Sequence, residues 1–190
     1  MTAGRLLRTR DRAATRWRNG GGVTREVAAG PADAGLEDFA WRVSLADVAA
    51  GGPFSSFPGV DRIITVVDGP GMELTVDGVP HVVDTPYEPF SFSGDAVTDC
   101  RLLGGPLVDL NVMTRRAAAT ADVRVTREGF SVVPGAGAVT LVIALAGTVE
   151  VAGSGLALGR LDAVLFSGAD AAAVHVEGVA AAVTITPARS

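Results

Sequence analysis

Four kinds of residue are scarce or absent in this chain, and the scarcity of cysteine and histidine excludes particular kinds of site. The 190 residues include no lysine, one cysteine (Cys100), two histidines (His81 and His175) and one tyrosine (Tyr87). A single cysteine excludes an internal disulfide and a zinc site built from several cysteines, so we expect Cys100 to be a buried thiol. The two histidines stand alone. We therefore expect no metal and no cofactor, and predict that both histidines lie at the surface or in turns.

Charge and hydropathy exclude several partners. No apolar run reaches the roughly 18 to 20 residues of a membrane helix, and the net charge of −5 argues against a general nucleic-acid surface. With 48% apolar and 19% charged residues, the chain is not expected to be disordered. The arginine-rich N-terminal residues lack the hydrophobic segment of a secretion signal. We therefore expect a cytoplasmic protein.

The remaining pattern predicts an all-β fold. Residues 23–27 and 41–45 alternate between apolar and polar side chains, as strands with one buried face do. From residue 61 onward, short β-branched segments end at Gly-containing turns, such as residues 68–69 and 77–78. Helical periodicity is almost absent. Turns every 8 to 12 residues or so are typical of a β-sandwich or barrel.

The second half of the chain repeats the first in outline, since residues 139–147 correspond to residues 63–69. This repetition predicts a bicupin, two fused small β-barrels of jelly-roll or cupin type with few or no helices. We place the N-terminal segment and the first barrel in residues 1–118, and the second barrel in residues 119–190. Strands of the second half are nearly all apolar. We therefore expect the second barrel to be structural and the first to hold any ligand site.

One polar, glycine-rich segment, residues 17–27, stands out from its surroundings. Its sequence is Trp-Arg-Asn-Gly-Gly-Gly-Val-Thr-Arg-Glu-Val. Consecutive glycines let a backbone adopt positive φ and approach another group closely. The segment lacks the Gly-Lys-Ser/Thr ending and the following helix of a phosphate-binding loop, so nucleotide binding is not expected. We interpret it as a hairpin that brings Trp17, Asn19 and Arg25 to the mouth of the first barrel.

Four segments together resemble the HutD/Ves family. The resemblance covers roughly residues 10–186 and implies a bicupin fold, in agreement with the internal repeat. The His-x-His motif of metal-binding cupins is missing. One branch of the family is associated with bacterial histidine utilisation, where it is thought to limit the pathway by binding an intermediate such as urocanate or formylglutamate; the other branch is stress-associated, and no reaction is established. The segments are residues 17–26, 41–46 (Trp-Arg-Val-Ser-Leu-Ala), 52–62 (Gly-Pro-Phe-Ser-Ser-Phe-Pro-Gly-Val-Asp-Arg) and 109–113 (Asp-Leu-Asn-Val-Met).

Polar side chains of the first half form the candidate ligand site. Arg42 and Ser44 share one side of their strand, and Asp109 and Asn111 share one side of theirs, because alternate residues of a strand point the same way. If those sides line the first barrel, an arginine could bind a carboxylate bidentately while amides and hydroxyls fix the rest of a ligand. A structural network of salt bridges is the alternative. The candidate ligand-binding residues are Trp17, Asn19, Arg25, Arg42, Ser44, Arg62, Asp109 and Asn111, with no catalytic residue assigned.

These features favour metal-independent binding of a small organic anion, a carboxylate metabolite, in metabolic regulation. Histidine utilisation is the pathway that the resemblance implies. The first alternative is a cofactor-independent isomerase or lyase, with Asp109 or Glu26 as base and an arginine as electrophile. The second is a stress-associated interaction protein that holds no ligand. We expect no nucleic-acid or membrane partner, and self-association as a homodimer through a sheet edge or face.

Overall fold

The computed structural model describes residues 4–188 and confirms the all-β prediction. Within these residues there is no α-helix, only a single turn of 3-10 helix at Thr9–Asp11, and no helix long and apolar enough to cross a membrane. In chain order the strands are β1 (Arg5–Leu7), β2 (Ala14–Arg16), β3 (Gly22–Gly30), β4 (Trp41–Val48), β5 (Gly52–Pro53), β6 (Val60–Asp68), β7 (Met72–Val76), β8 (Val79–Val83), β9 (Pro89–Ser93), β10 (Thr98–Leu102), β11 (Leu107–Arg115), β12 (Ala119–Thr126), β13 (Phe130–Val132), β14 (Val139–Val151), β15 (Leu156–Leu158), β16 (Ala163–Ser167) and β17 (Ala172–Pro187).

The strands form two compact units. One comprises Ala13–Ala118, and the other joins Met1–Arg12 to Ala119–Ser190. The predicted first unit, residues 1–118, therefore differs from the observed one at the N terminus. The reason is that β1 pairs antiparallel with β16, so the first strand of the chain completes the sheet of the second unit.

The Ala13–Ala118 unit is a sandwich of two antiparallel sheets. The larger sheet has the order β2-β3-β4-β11-β6-β9, and the smaller has the order β5-β10-β7-β8. Alternating apolar positions of both sheets meet in one core, for example Ile64 and Val66 from β6 with Met72 and Leu74 from β7. This alternation follows from the two-residue period of a strand and defines an inner face on each sheet.

The second unit is built on one seven-stranded sheet. Its central strands β14 and β17 pair along most of their length, and the register shifts between Ala144 and Ala146 where the ladder bulges. The core is apolar, with Val142, Val164 and Phe166 fully buried. Valine is the commonest residue of this interior, in agreement with the apolar composition of the second half.

Candidate functional site

Five of the eight predicted site residues lie on the inner face of the six-stranded sheet. Strand registers place them in neighbouring rows, since residues opposite each other across a ladder share a face. Ser44 on β4 lies opposite Asn111 on β11, and Asp109 lies opposite Ala46, whose side chain is in the core. The third row runs from Arg42 through Met113 to Arg62 and Phe92. The sequence pairs 42/44 and 109/111 therefore do share one surface, and Arg62 joins them there.

Arg62 is a buried cation with no anionic partner. Its side chain is 7% exposed, it forms no ion pair with any residue from 4 to 188, and its Nε has no hydrogen-bond partner. Phenyl rings surround it instead: the guanidinium carbon lies 5.0 Å from the ring centroids of Phe54 and Phe92 and 5.8 Å from that of Phe57. Burial lowers its pKa to about 10, while the nearby Asp109 opposes that shift and Arg42 adds to it. At neutral pH the guanidinium remains charged.

Asp109 is the buried acid of the same face. It is 2% exposed, and its Oδ1 has no hydrogen-bond partner. Burial raises the pKa of this carboxyl to about 7; the charge of Arg62 acts in the opposite direction, and Asp47 raises the pKa further. Asn111, two residues along β11, also has an Oδ1 without a partner. Buried polar atoms normally have partners, so this group of unsatisfied atoms marks a place where a ligand or water would bind.

The positive charge of Arg42 is balanced by an ion pair with Glu26. Its Nε donates a 2.8 Å hydrogen bond to Glu26 Oε2, and the Glu26 side chain is 44% exposed. Glu26 lies opposite Ser44 in the β3–β4 ladder, so this ion pair lies at the margin of the inner face. The structural salt-bridge alternative therefore applies to Arg42, whereas Arg62 keeps its capacity to bind an anion.

The predicted hairpin exists, because β2 and β3 pair antiparallel on either side of residues 17–21. Trp17 Nε1 donates a 2.7 Å hydrogen bond to Thr24 Oγ1, and the indole packs against the core of the sandwich. Gly20 has a φ of +73°, which suits the turn. A Cβ on Gly22 would lie 2.7 Å from Asp47 O and 3.0 Å from the Trp17 ring, so glycine is needed there for close approach. Two of the glycines thus serve the hairpin itself.

Asn19 and Arg25 are not brought to the inner face. Asn19 is exposed, and its Oδ1 accepts a 2.9 Å hydrogen bond from Gly21 N within the turn. Arg25 lies opposite Leu45, on the face away from Ser44, and forms an ion pair with Asp47. Both residues have local structural partners, so of the three predicted hairpin residues only Trp17 packs against the core of the sandwich.

The loop of residues 51–59 positions two of the phenyl rings around Arg62. Phe57 N donates to Gly94 O at 2.8 Å, and Gly59 N donates to Asp95 Oδ1 at 2.9 Å. Arg116 then bridges Asp95 and Asp61, with a 2.6 Å contact from Nη1 to Asp61 Oδ1. The backbone bond from Gly59, together with Arg116, lowers the pKa of the Asp95 carboxyl to about 2. This cluster holds the end of the loop against β6 and β9.

The sequence did not predict the positions of two kinds of inward-facing residue, the phenylalanines around Arg62 and His81. Phe92 and Phe54 were visible only as aromatic residues in a strand and a turn-rich segment, and nothing in the sequence showed that their rings meet one arginine. His81 was predicted at the surface or in a turn; it instead lies within β8, half-buried, opposite Leu74 and 5.0 Å from the Phe90 ring. A strand assignment for residues 79–83 with Val83 inward would have placed His81 inward as well.

Three further features bear on which ligands the described residues could hold. A shallow depression of about 290 Å³ lies at the opposite end of β4 and β11, between Asp47 and Asp68, whose carboxylates disfavour a negative ligand. Among residues 4–188, no three His, Cys, Asp or Glu side chains cluster in a way that suits a metal ion. Cys100 is buried, and burial raises the pKa of its thiol to about 11, so the thiol is neutral.

Comparison with known proteins identifies the family. The sequence model of the family HutD matches residues 9–184. The chain belongs to the HutD family. Its structure superimposes on that of HutD from Pseudomonas fluorescens SBW25, solved in a formate condition, with a TM-score of 0.86 and 34% identity over 97% of this chain and 99% of that one. The resemblance drawn from the four sequence segments is confirmed.

Other relatives support the same assignment. An uncharacterised 21.2 kDa protein in the hutC 3′ region of Pseudomonas putida is 44% identical over 113 residues, 60% of this chain and 59% of that protein. Protein Ves of Citrobacter koseri is 42% identical over 130 residues, 67% of this chain and 66% of that protein. The matched stretches thus span about three fifths to two thirds of these relatives. Nickel-bound pirin YhhW from Escherichia coli, at 11% identity, a TM-score of 0.65 and 95% and 97% coverage of this chain and that one, shares the fold alone, which confirms the bicupin prediction.

Proposed function

We propose that this protein binds a small organic anion, a carboxylate metabolite, in the regulation of a metabolic pathway, with histidine utilisation as the pathway. The observation that supports this proposal is the charged, buried Arg62 without an anionic partner. A guanidinium binds a carboxylate through two parallel hydrogen bonds, which makes arginine suited to this class of ligand.

The energetics favour a ligand over a purely structural role for Arg62. Removing an ion from water costs several kcal/mol, roughly, even after relaxation. Each cation–π contact returns about 0.5 to 2 kcal/mol, so the three phenyl rings around Arg62 can offset much of this cost. They do not provide a hydrogen-bond acceptor for the buried Nε, and an unsatisfied buried donor costs about 1 to 3 kcal/mol. A bound carboxylate would supply the missing charge and hydrogen bonds. The unpaired atoms of Asp109 and Asn111 offer further polar contacts on the same face.

Relatives give the proposal its ligand class. The P. fluorescens HutD structure was obtained in a formate condition, and formate is the smallest carboxylate. The P. putida relative is named by its position beside hutC. From the family resemblance, urocanate and formylglutamate are the larger carboxylates to test. We further propose that the protein acts in the cytoplasm as a homodimer, which sedimentation analysis of the purified chain would check.

Isothermal titration with formate, urocanate and formylglutamate tests the proposal. At least one of them is expected to bind at a single site, and Arg62→Met is expected to lose that binding. Arg101→Met is the matched control, because Arg101 is an exposed arginine whose ion-pair partner is Glu73. Retained binding in Arg62→Met, or loss in both variants, would remove the basis for the site. If all three acids fail to bind the wild type, the interaction-protein alternative replaces this one.

A second candidate function has one observation in its favour. Asp109, with a pKa raised to about 7 and a cationic neighbour, has the properties of a general base beside an electrophile. Glu26, the other predicted base, is occupied by Arg42, and Tyr87, the lone tyrosine, lies in the turn before β9. An isomerase or lyase would convert the bound acid. Proton NMR of urocanate or formylglutamate after prolonged incubation tests this, and unchanged spectra exclude it for those two acids.

A further inference from the structure

Asp109 and Arg62 are two buried, oppositely charged groups that do not pair with each other. Asp109 is 2% exposed and Arg62 is 7% exposed, and each has a buried polar atom without a partner. They lie on adjacent strands of one sheet, where Asp109 is opposite Val66 and Arg62 is opposite Met113. Two charges buried so deeply normally form a direct ion pair, because solvation no longer compensates them. The row of Asn111 and Ile64 lies between them, and Arg62 Nε, Asp109 Oδ1 and Asn111 Oδ1 all keep hydrogen-bonding capacity that no described residue uses.

The surroundings of Asp109 leave it as the group that can change charge. Arg62 on β6 remains a cation, and the Cys100 thiol on β10 remains neutral, because burial raises the thiol pKa to about 11. On β4, Asp47 is paired with Arg25 and Arg42 with Glu26 of β3. On β8, His81 packs against Phe90, and Glu73 of β7 pairs with the exposed Arg101. None of these groups provides Asp109 with a hydrogen bond.

We propose that Asp109 is a specificity-determining residue that carries a proton when the site is occupied, so that each carboxylate ligand binds together with one proton. This inference rests on the anion-binding function proposed above. In the occupied site, the ligand carboxylate faces Arg62 on one side and the Asp109 carboxyl on the other. The protonated carboxyl donates its O–H to a ligand oxygen, while the guanidinium donates two N–H groups.

The chemical reason is that two carboxylates within one buried site cannot both be ionised. One proton is then shared between them, as in paired carboxylates elsewhere. In the unliganded site burial already raises the pKa of Asp109 to about 7. An incoming anion raises it further, and the proton comes from solvent. A carboxylate gains both the charge of Arg62 and a hydrogen bond from Asp109, whereas its neutral amide gains no ion pair.

Titration of the wild-type protein with formate between pH 6 and pH 8.5 tests the inference. Formate stays ionised throughout this range, so a change in affinity reports on the protein. We expect a nearly constant dissociation constant below pH 7 and a weakening of about tenfold for each pH unit above it. At pH 8, the binding enthalpy should differ between phosphate and Tris by the difference in ionisation enthalpy of the two buffers, because about one proton is taken up per formate bound. Formamide is expected not to bind.

Variants separate Asp109 from other groups. Asp109→Asn should abolish the dependence of affinity on pH above 7 and the proton uptake. Asp99→Asn, at an exposed position of β10, should keep both. Formate binding with the same affinity at pH 6 and pH 8.5 would overturn this inference and leave the anion-binding function intact. The same would follow if Asp109→Asn kept the wild-type slope. Failure of formate, urocanate and formylglutamate alike to bind at pH 6 would overturn both proposals.

Discussion

Arg62 is the residue on which the functional account depends. A cation that is buried without a carboxylate partner lowers the stability of the unliganded fold, and the phenyl rings leave its Nε donor without a hydrogen-bond acceptor. The same residue would therefore be costly for folding and necessary for binding. Opposing effects of this kind are expected where a protein keeps a group for function rather than for stability.

Replacing Arg62 with methionine separates the two effects. Methionine has a similar length and fills the space among Phe54, Phe57 and Phe92 without a charge. We expect the free energy of unfolding, measured in urea, to be unchanged or to rise by about 1 to 4 kcal/mol, while carboxylate binding is lost. Arg101→Met should change neither property. A variant that loses several kcal/mol of stability would show that Arg62 is a structural residue.

The pH dependence of stability tests the environment of Asp109 without any ligand. Burial raises its folded pKa to about 7, well above the ordinary value of 3.8 for this side chain. Because the folded state holds the proton more tightly, the contribution of Asp109 to stability falls as pH rises from about 4 to about 7. Asp109→Asn lacks this titration. We therefore expect the stability of the variant relative to wild type to rise by about 2 to 3 kcal/mol between pH 5 and pH 8. Parallel pH profiles from urea unfolding would contradict the assignment.

For individual residues, the sequence indicates which side chains share a face of a strand but not which face points into the core. Alternation placed Arg42 with Ser44 and Asp109 with Asn111, and the strand registers bear this out. The same alternation puts Arg25 on the other face of β3, where it pairs with Asp47. A single strand presents two equivalent faces until its neighbours are known. The choice between ligand site and salt bridge therefore required the pairing partners of each arginine.

Among the elements, the loop of residues 51–59 links the surface to the buried site. It carries Phe54 and Phe57, whose rings contact the Arg62 guanidinium. The loop is held by backbone bonds to Gly94 and by the Arg116 cluster, which is exposed. Exposed ion pairs contribute little to global stability, yet they restrict where a loop can lie. The cluster is thus expected to matter more for ligand affinity than for folding.

Arg116→Ala tests this role of the loop. We expect the thermal midpoint of unfolding to stay close to that of wild type, while the affinity for the ligand falls about three- to tenfold because the phenyl rings around Arg62 are held less firmly. Limited proteolysis should cut residues 51–59 faster. Arg101→Ala removes an ion pair of the same exposed type away from the loop and should have neither effect. Equal affinities in both variants would show that the loop needs no such support.

For the whole molecule, the first residues of the chain belong to the second unit. β1 extends its sheet along β16, and Asp162 accepts hydrogen bonds from Arg8 Nη1, Thr9 N and Gly159 N. Burial acts to raise the pKa of Asp162, but these bonds together outweigh it and lower the pKa. Its contribution to stability is therefore present at neutral pH and is lost as pH falls below about 4. Asp162 therefore binds residues 8 and 9 to the second unit, in addition to the pairing of β1 with β16.

Asp162→Ala should therefore destabilise the protein at neutral pH. Three donors lose their acceptor, and we expect a loss of about 2 to 4 kcal/mol in the free energy of unfolding at pH 7. The loss should become smaller as pH falls below about 4, because the pKa of Asp162 is lowered in the folded state. Asp122→Ala, at an exposed position of β12, is the matched control and should change stability little. If Asp162→Ala destabilises the protein no more than Asp122→Ala does, then β1 is held only by its backbone pairing with β16.

Much of the architecture was predictable because strands, turns and an internal repeat each produce a periodic pattern in the sequence. The two β units and the apolar interior of the second follow from that periodicity. The pairing of the N-terminal strand β1 with the second unit was not predictable. This strand has only three residues and carries no pattern that identifies its partner. Nor was the phenyl cage of Arg62, which joins residues 54, 57 and 92 through the long-range pairing of β6 with β9. Local sequence patterns predict individual strands, whereas the residues of a binding site are brought together by the pairing of strands that are distant in the sequence.

The central claim is that a carboxylate binds to Arg62 on the inner face of the six-stranded sheet. A crystal structure of the protein soaked with the tightest-binding acid tests it most directly. The account predicts two carboxylate oxygens about 2.7 to 2.9 Å from Arg62 guanidinium nitrogens, with one of them also within hydrogen-bond distance of Asp109. Ligand density elsewhere, such as between Asp47 and Asp68, with Arg62 contacted only by its phenyl rings, would contradict it.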